Sequence, residues 1–336
     1  MKYRLPNNLS DFQRKIYNHL VDYKKTKLKI SDCGSYKDNF YDIILPENLV
    51  NKNLLTDYQD EILDYIKKEK IRKHIFFSHL ASSQVACFNL FYPIKLNKNL
   101  ANQIFKDILP EFYEIIDIEF EYYDKKNDYL NESRNKGNNT ANVGTDSDIA
   151  IIYKNKNNEK IISLIEHKFT ENHFTNCNAF RSKNNDNKQI CNKFDIDNTD
   201  DCYYKKGKNY KYWEITKNVN SFFDITKLQK INEICPFKSS LQQLWRNMLL
   251  ADAIENDSKN DITRTYFGVI YHSENPDLWK ISGNKNFKRA DEFFNDLLKS
   301  KNKFFTFTIQ QLVDKIKNFD NKLKWINEYT DKYIND

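Results

Sequence analysis

Residues 145–169, TDSDIAIIYKNKNNEKIISLIEHKF, limit what this chain can fold into more than any other stretch. Two isoleucine-rich runs, DIAIIY at 148–153 and IISLIEHKF at 161–169, are separated by the short polar turn KNKNNEK. Runs of this length and composition, joined through Asn and Lys, predict two strands paired as a hairpin. Charged residues interrupt the apolar pattern at its ends. Asp148 opens the first strand, and Glu166 and Lys168 stand two apart near the end of the second. Period-two alternation places Glu166 and Lys168 on one face. In a hairpin the start of the first strand lies beside the end of the second, so Asp148 joins them. Two carboxylates and an ammonium then converge.

That trio suits phosphodiester hydrolysis. Two carboxylates can hold Mg²⁺ or Mn²⁺ through oxygen ligands and leave positions for water and phosphate. A neighbouring lysine can orient the water or stabilise developing charge, and burial can lower its pKa. A Glu-x-Lys triplet alone carries little weight in a chain that is 30% charged, and Asp often merely opens a strand. The position of the triplet, closing an apolar run just after an Asp-opened strand, is the specific signal. Asp146 competes with Asp148. Asp148 is preferred because it directly abuts the apolar strand.

Helical periodicity is expected at 11–25, 56–70, 82–91 and 99–115, followed by a strand at 117–123 and a polar loop, DKKNDYLNESRNKGNNT. After the hairpin, residues 171–237 form a long polar stretch. An amphipathic helix then spans about 240–255, with Leu241, Leu244, Trp245, Met248 and Ala251 at helical spacing. A strand at 265–272, a helix at 290–298, a short strand FFTFT and one final helix close the chain. The order is α/β around a mixed sheet.

With 336 residues, 40% hydrophobic and 15% aromatic, the chain can bury a sizeable core. Six Gly and six Pro argue against global disorder or fibrous repeats. A net charge of +6 from 53 basic and 47 acidic residues permits a nucleic-acid ligand without demanding one. The start, MKYRLPNNLSDFQRK, has no secretory apolar region. The most apolar stretch, 74–94, carries His79, Gln84, Asn89 and Pro93 and makes a poor membrane span. A cytoplasmic location is expected, with no membrane partner and with thiols rather than disulfides.

The run Glu166-His167-Lys168-Phe169-Thr170-Glu171, with its upstream acid in Gly144-Thr145-Asp146-Ser147-Asp148, resembles the PD-(D/E)XK nuclease superfamily. Within it, the chain is similar to bacterial restriction endonucleases whose strand reads acid, any residue, lysine, then aromatic-Thr-Glu. SSQVACFNLF at 82–91 and QLWRNMLLA at 243–251 extend the resemblance over about residues 75–275. The proline of the superfamily's name is missing before Asp148. The resemblance implies a restriction-endonuclease-like core, a mixed central sheet flanked by helices, at 76–336. Residues 1–75 then form a mostly helical extension, and 171–237 a Cys-containing insertion. It implies a Mg²⁺-dependent DNA endonuclease of restriction or anti-phage type, acting alone, as a homodimer or with accessory defence or modification proteins. The alternatives are a repair or recombination exonuclease of the same fold, and a nucleic-acid-binding module that no longer cuts.

The resemblance also favours Glu121 over Glu119 as a third acid, and Gln84 as a polar contact to substrate or to the catalytic acids. A solvated edge-strand carboxylate and a satisfied buried amide are the alternatives. It offers Gln243 and Arg246 as nucleic-acid contacts. Ser240-Leu241-Gln242-Gln243 also reads as a capping box, which would use Gln243 on its own helix, and Arg246 as a surface charge. Cys177, Cys191, Cys202 and Cys235 fall within the insertion and could hold Zn²⁺ or an iron–sulfur cluster, although no C-x-x-C pair is present. Cys33 and Cys87 read as small core residues. His167 should point to the opposite sheet face, with its carbonyl nearer the metal, and His173 reads as a loop residue.

Overall fold

The two isoleucine-rich runs pair antiparallel, Ile149 opposite Ile165 and Tyr153 opposite Ile161. Their turn closes through Asn155, whose Oδ1 accepts from the backbone N–H groups of Asn157 and Glu159, both at 3.0 Å. Asn158 takes the left-handed conformation that Asn tolerates in tight turns. Both faces of the hairpin are buried, which is why its strands read as continuous apolar runs instead of alternating ones.

The computed structural model describes residues 3–123, 127–132, 144–231, 234–281 and 286–334. Much of the polar loop expected at 124–140 therefore lies outside the described residues. Helix α1 (Asp11–Thr26) precedes a small ribbon of β1 (Gly34–Tyr36) and β2 (Asn39–Tyr41). Helices α2 (Gln59–Lys68), α3 (Ser83–Leu96) and α4 (Lys98–Phe105) follow. Strands β3 (Glu114–Tyr122), β4 (Ser147–Lys154) and β5 (Lys160–Lys168) lead into a segment of short helices, α5 (Asn178–Arg181), α6 (Tyr203–Lys206), α7 (Tyr212–Lys217) and α8 (Ile225–Gln229). Then come α9 (Gln242–Glu255), β6 (Ile262–Tyr271), α10 (Ala290–Asp296), β7 (Phe304–Thr308), α11 (Ile309–Phe319) and α12 (Lys324–Tyr333).

The sheet runs β3-β4-β5-β6-β7. Its first three strands are antiparallel, while β6 and β7 run parallel to β5, giving a mixed sheet. Alternation divides the hairpin between two cores. Ile149, Ile151, Tyr153, Ile161 and Ile165 pack with α1 to α4, α11 and α12, whereas Ala150, Ile152, Ile162 and Leu164 pack with α9, α10 and the inserted segment. Residues on both sides of position 75 belong to the first core. Among the described residues no helix is long and apolar enough to cross a membrane.

Three expectations change. The helix expected at 99–115 stops at Phe105, because Pro110 and the left-handed Glu111 break it, and β3 already begins at Glu114. The single final helix is two, separated at Asp320, whose extended backbone ends α11. The stretch at 171–237 is polar in composition but buries Phe174, Tyr204, Tyr212, Trp213 and Phe223. Phe237 stacks on Trp245 of α9 at 4.2 Å between ring centroids. Many Asn, Lys and Asp between the aromatics conceal this core in the sequence.

One buried amide ties the N-terminal region to α3 and α12. Asn89 Oδ1 accepts from Leu55 N at 3.0 Å, and its Nδ2 donates to Asn53 O at 3.0 Å and Tyr333 Oη at 2.9 Å. Asn89→Ala leaves the Leu55 N–H and the Asn53 carbonyl buried without that partner. It should destabilise the chain by roughly 2–4 kcal/mol. Urea denaturation checks this, and a loss no larger than that of an exposed Asn→Ala control would contradict it.

Candidate active site

Strand register assembles a row of acids. Phe120 pairs with Ile149 and Tyr122 with Ser147, so Glu121 lies across from Asp148. One step beyond the Ile149–Ile165 pair, Asp148 lies across from Glu166. Three carboxylates thus stand at one level of three neighbouring strands, at the end of the hairpin away from its turn. Glu121 has φ 48°, a left-handed conformation that costs a β-strand residue energy and swings its carboxyl toward α3. There Gln84 Nε2 donates to Glu121 Oε1 at 2.9 Å. Asp146, Asp148, Glu166, Lys168, Gln84, Glu121 and Gln243 all line one cleft of about 890 Å³.

Each acid is positioned by a different element. Asp148 Oδ2 accepts from the His167 backbone N–H at 2.6 Å, across the hairpin. Glu166 Oε1 accepts from Lys168 Nζ at 2.8 Å and from Gln243 Nε2. Its Oε2 accepts from Asn247 Nδ2 at 2.9 Å. Gln243 and Asn247 are four apart on α9 and so share a face. Ser147 Oγ donates to Asn247 Oδ1 at 3.1 Å, which orients that amide from β4. Asn247 and Ser147 carry no sequence signal, since neither belongs to a recognisable motif and their contact spans 100 positions. Gln243 does not cap its helix: Leu241 is the N-cap, with no side-chain capping bond. The Gln243 Oε1 instead accepts from Thr175 N at 3.2 Å.

Burial, reinforced by like charge, dominates the electrostatics of the cleft. Burial, then Asp146, pushes Glu121 up to about 7. Burial, then Glu166, pushes Asp146 up to about 6. Burial, then Glu166, holds Asp148 well above the ordinary carboxylate range, against the pull of Lys168 and the His167 N–H. Burial alone would lower the Lys168 ammonium, but Glu166, Glu171 and Asp148 outweigh it and leave its pKa raised. The expectation that burial lowers this lysine is therefore reversed. Among the described residues no three carboxylate, imidazole or thiol groups are already gathered as a metal ligand set. The donors nonetheless suit a hard divalent cation: carboxylate oxygens of four acids around one cleft, carrying mutual repulsion that such a charge relieves.

The remaining residues are placed as follows. Arg246 is held in a network, its Nε 3.0 Å from Thr145 Oγ1 and 3.5 Å from Glu132, which also accepts from Tyr212 Oη, and its charge favours the ionised form of Asp146. His167 points to the α3 face, where Ser83 Oγ donates to its carbonyl at 2.7 Å, and burial lowers its imidazole to about 3. His173 is an exposed loop residue. All six cysteines are free thiols. The inserted segments carrying Cys191 and Cys235 touch, Cys235 N donating to Cys191 O at 3.0 Å, and Cys177 N reaches Lys238 O at 3.2 Å. Burial, then Cys202, pushes the Cys191 thiol up to about 12.

The raised Glu121 carboxyl has a measurable consequence for stability. Between the ordinary glutamate value of 4.5 and about 7, the folded chain keeps a proton on Glu121 that the unfolded chain has released. That contribution to stability is present below 4.5 and is lost as pH rises through 7. Glu121→Gln keeps an oxygen for Gln84 and removes the charge. It should stabilise the metal-free protein at about pH 8 by on the order of 1–3 kcal/mol and change it little near pH 5. Urea denaturation in EDTA measures both, and equal gains at the two pH values would contradict a Glu121 carboxyl raised by burial and by Asp146.

The chain matches no curated protein and no solved structure. Residues 17–334 match the family described as restriction endonuclease associating with ARP, so the chain belongs to that family and has a restriction-endonuclease-like fold.

Proposed function

We propose that this chain is a metal-dependent deoxyribonuclease, an endonuclease of restriction or anti-phage type. Membership of a restriction endonuclease family makes a nuclease the expected activity. The observation that carries the finer reading is the row of Glu121, Asp148 and Glu166 across three strands, with Lys168 bonded to Glu166 at 2.8 Å. Asp148 and Glu166 would hold Mg²⁺ or Mn²⁺, with Glu121 as the supporting acid. Such a cation, when bound, supplies charge for a non-bridging phosphate oxygen and makes a water more acidic.

The chain's own residues supply the rest. Lys168 keeps its proton, so it serves as a hydrogen-bond donor and fixed positive charge rather than as a base. It can orient a water or steady charge that develops on the phosphate. Gln243 and Asn247 fix both Glu166 oxygens and keep that carboxylate from rotating. Gln84 does the same for Glu121. The family's association with ARP fits a partner that supplies recognition or modification.

Incubation of the purified chain with closed circular and linear DNA, with Mg²⁺ or EDTA, tests the reading. Cutting of the circle identifies an endonuclease, and attack confined to linear ends identifies the exonuclease alternative. Asp148→Asn and Glu166→Gln should each abolish Mg²⁺-dependent cutting while DNA binding persists. Lys168→Ala should slow the chemical step by roughly two orders of magnitude, the scale of losing one preorganised donor. Asp146→Asn should be milder than Asp148→Asn. Full activity of Glu166→Gln, with contaminating nuclease excluded, would overturn the proposal.

A further inference from the structure

A second cleft of about 630 Å³ adjoins the acid row and shares His74, Gln84, Glu121 and Asp146 with the first. One of its walls is cationic. The segment at 67–73, KKEKIRK, holds Lys67, Lys68, Lys70, Arg72 and Lys73, all exposed, and Lys68, Lys70 and Arg72 line the cleft. Among the described residues no ion pair joins any of these five to a carboxylate, and Glu69 is the one acid within the segment. Complementing a helix dipole explains Lys67 and Lys68, which sit in the last turn of α2. It does not explain Lys70, Arg72 and Lys73, which lie past the helix end. Five cations in seven residues repel one another, so the segment is suited to an external anion.

The segment is also built onto the active site. Gln84 Oε1 accepts from His74 N at 2.9 Å, and Gln84 Nε2 donates to Arg72 O at 3.1 Å and to Glu121 Oε1 at 2.9 Å. A single amide therefore joins the backbone of the basic segment to one acid of the row. The facing wall is acidic, formed by Asp117, Glu119 and Glu121 of β3, and Asp117 is already paired with Lys95. A polyanion threaded through this cleft is attracted along one side and repelled along the other, and so is held in one lateral position relative to the acids.

We infer that the segment at 67–73 is a phosphate rail that grips the DNA backbone on one side of the cut site, fixed to the site through Gln84. This rests on the proposed nuclease reading and gives the N-terminal region a task in it. The rail reads charge, not base sequence, so its contribution should be equal for all sequences and should fall with salt.

The test measures binding, not cutting. A chain carrying Glu166→Gln is titrated against a fluorescently labelled DNA duplex in EDTA, across about 50–200 mM salt. Adding Lys68→Gln, Lys70→Gln and Arg72→Gln should weaken binding at least about tenfold. It should also reduce the slope of log affinity against log salt by about 2–3, since each phosphate contact contributes about 0.9. Lys301→Gln, Lys322→Gln and Lys324→Gln, exposed elsewhere, remove the same charge and should leave the slope unchanged. Arg72→Gln alone should remove about one contact's worth of slope, with the melting temperature kept. The rail is overturned if its triple variant matches the control triple, or if the parent duplex affinity does not depend on salt. Failed cleavage by the wild-type chain, with the rail effect intact, would overturn the proposed chemistry and leave the rail standing.

Discussion

Carboxylates at one level of three adjacent strands repel each other, and most polar devices near the site exist to hold them there. A row of like charges on a sheet is destabilising in proportion to how well it is shielded from water. This chain shields it well: β4 and β5 are buried on both faces almost to their ends. The repulsion is offset locally by one ammonium, Lys168, and by neutral donors from three directions. The His167 N–H comes from the hairpin itself, Gln243 and Asn247 from α9, and Gln84 from α3. None of these donors cancels the charge, and burial, then the neighbouring acids, keeps Glu121, Asp146 and Asp148 raised. Acids held in this way cost the fold stability that its hydrogen bonding alone does not reveal.

The hairpin was legible because period-two alternation and a short Asn turn are local signals. The same alternation sends Glu166 and Lys168 to the α9 face and His167 to the α3 face, where Ser83 meets it. Boundaries set by single backbone torsions were not legible. Glu111 and Glu121 both take positive φ, and nothing in EFYEIIDIEFEYY marks either residue as left-handed. One ends the α4 region early, and the other aims an acid. Asn247 and Ser147 were invisible for a different reason. Their importance comes from contact across 100 positions of sequence, and a lone Asn in a helix of buried residues resembles any satisfied core amide. Arg246 shows the converse: its type suits phosphate contact, and its partners within the chain, Glu132 and Thr145, could not be read from the sequence.

Helix α9 does two jobs with one sequence, and that explains its weak amphipathic pattern. Leu244, Trp245, Met248 and Leu249 pack into the core shared with the inserted segment, while Gln243 and Asn247 reach Glu166. Trp245 is fixed by the Phe237 stack and by its Nε1–H donated to Thr216 at 2.9 Å, both partners lying in the inserted segment. The inserted segment is therefore part of the scaffold that sets the rotation of α9, and with it the placement of two amides on Glu166.

The N-terminal region is coupled to the site in the same physical way from the other face. Asn53 and Asn89 lock it against α3 and α12, with Lys332 Nζ donating to Asn53 Oδ1 at 2.9 Å. Gln84 lies five residues before Asn89 on the same helix. A helix moves as a rigid body over such a distance, so a shift that loosens Asn89 also moves Gln84 relative to Glu121 and to the backbone at Arg72 and His74. Packing of the first 80 residues and geometry of the acid row thus share one lever, α3. Its surface, buried from Val85 to Ile94 and apolar there apart from Asn89, packs closely and gives that lever its stiffness.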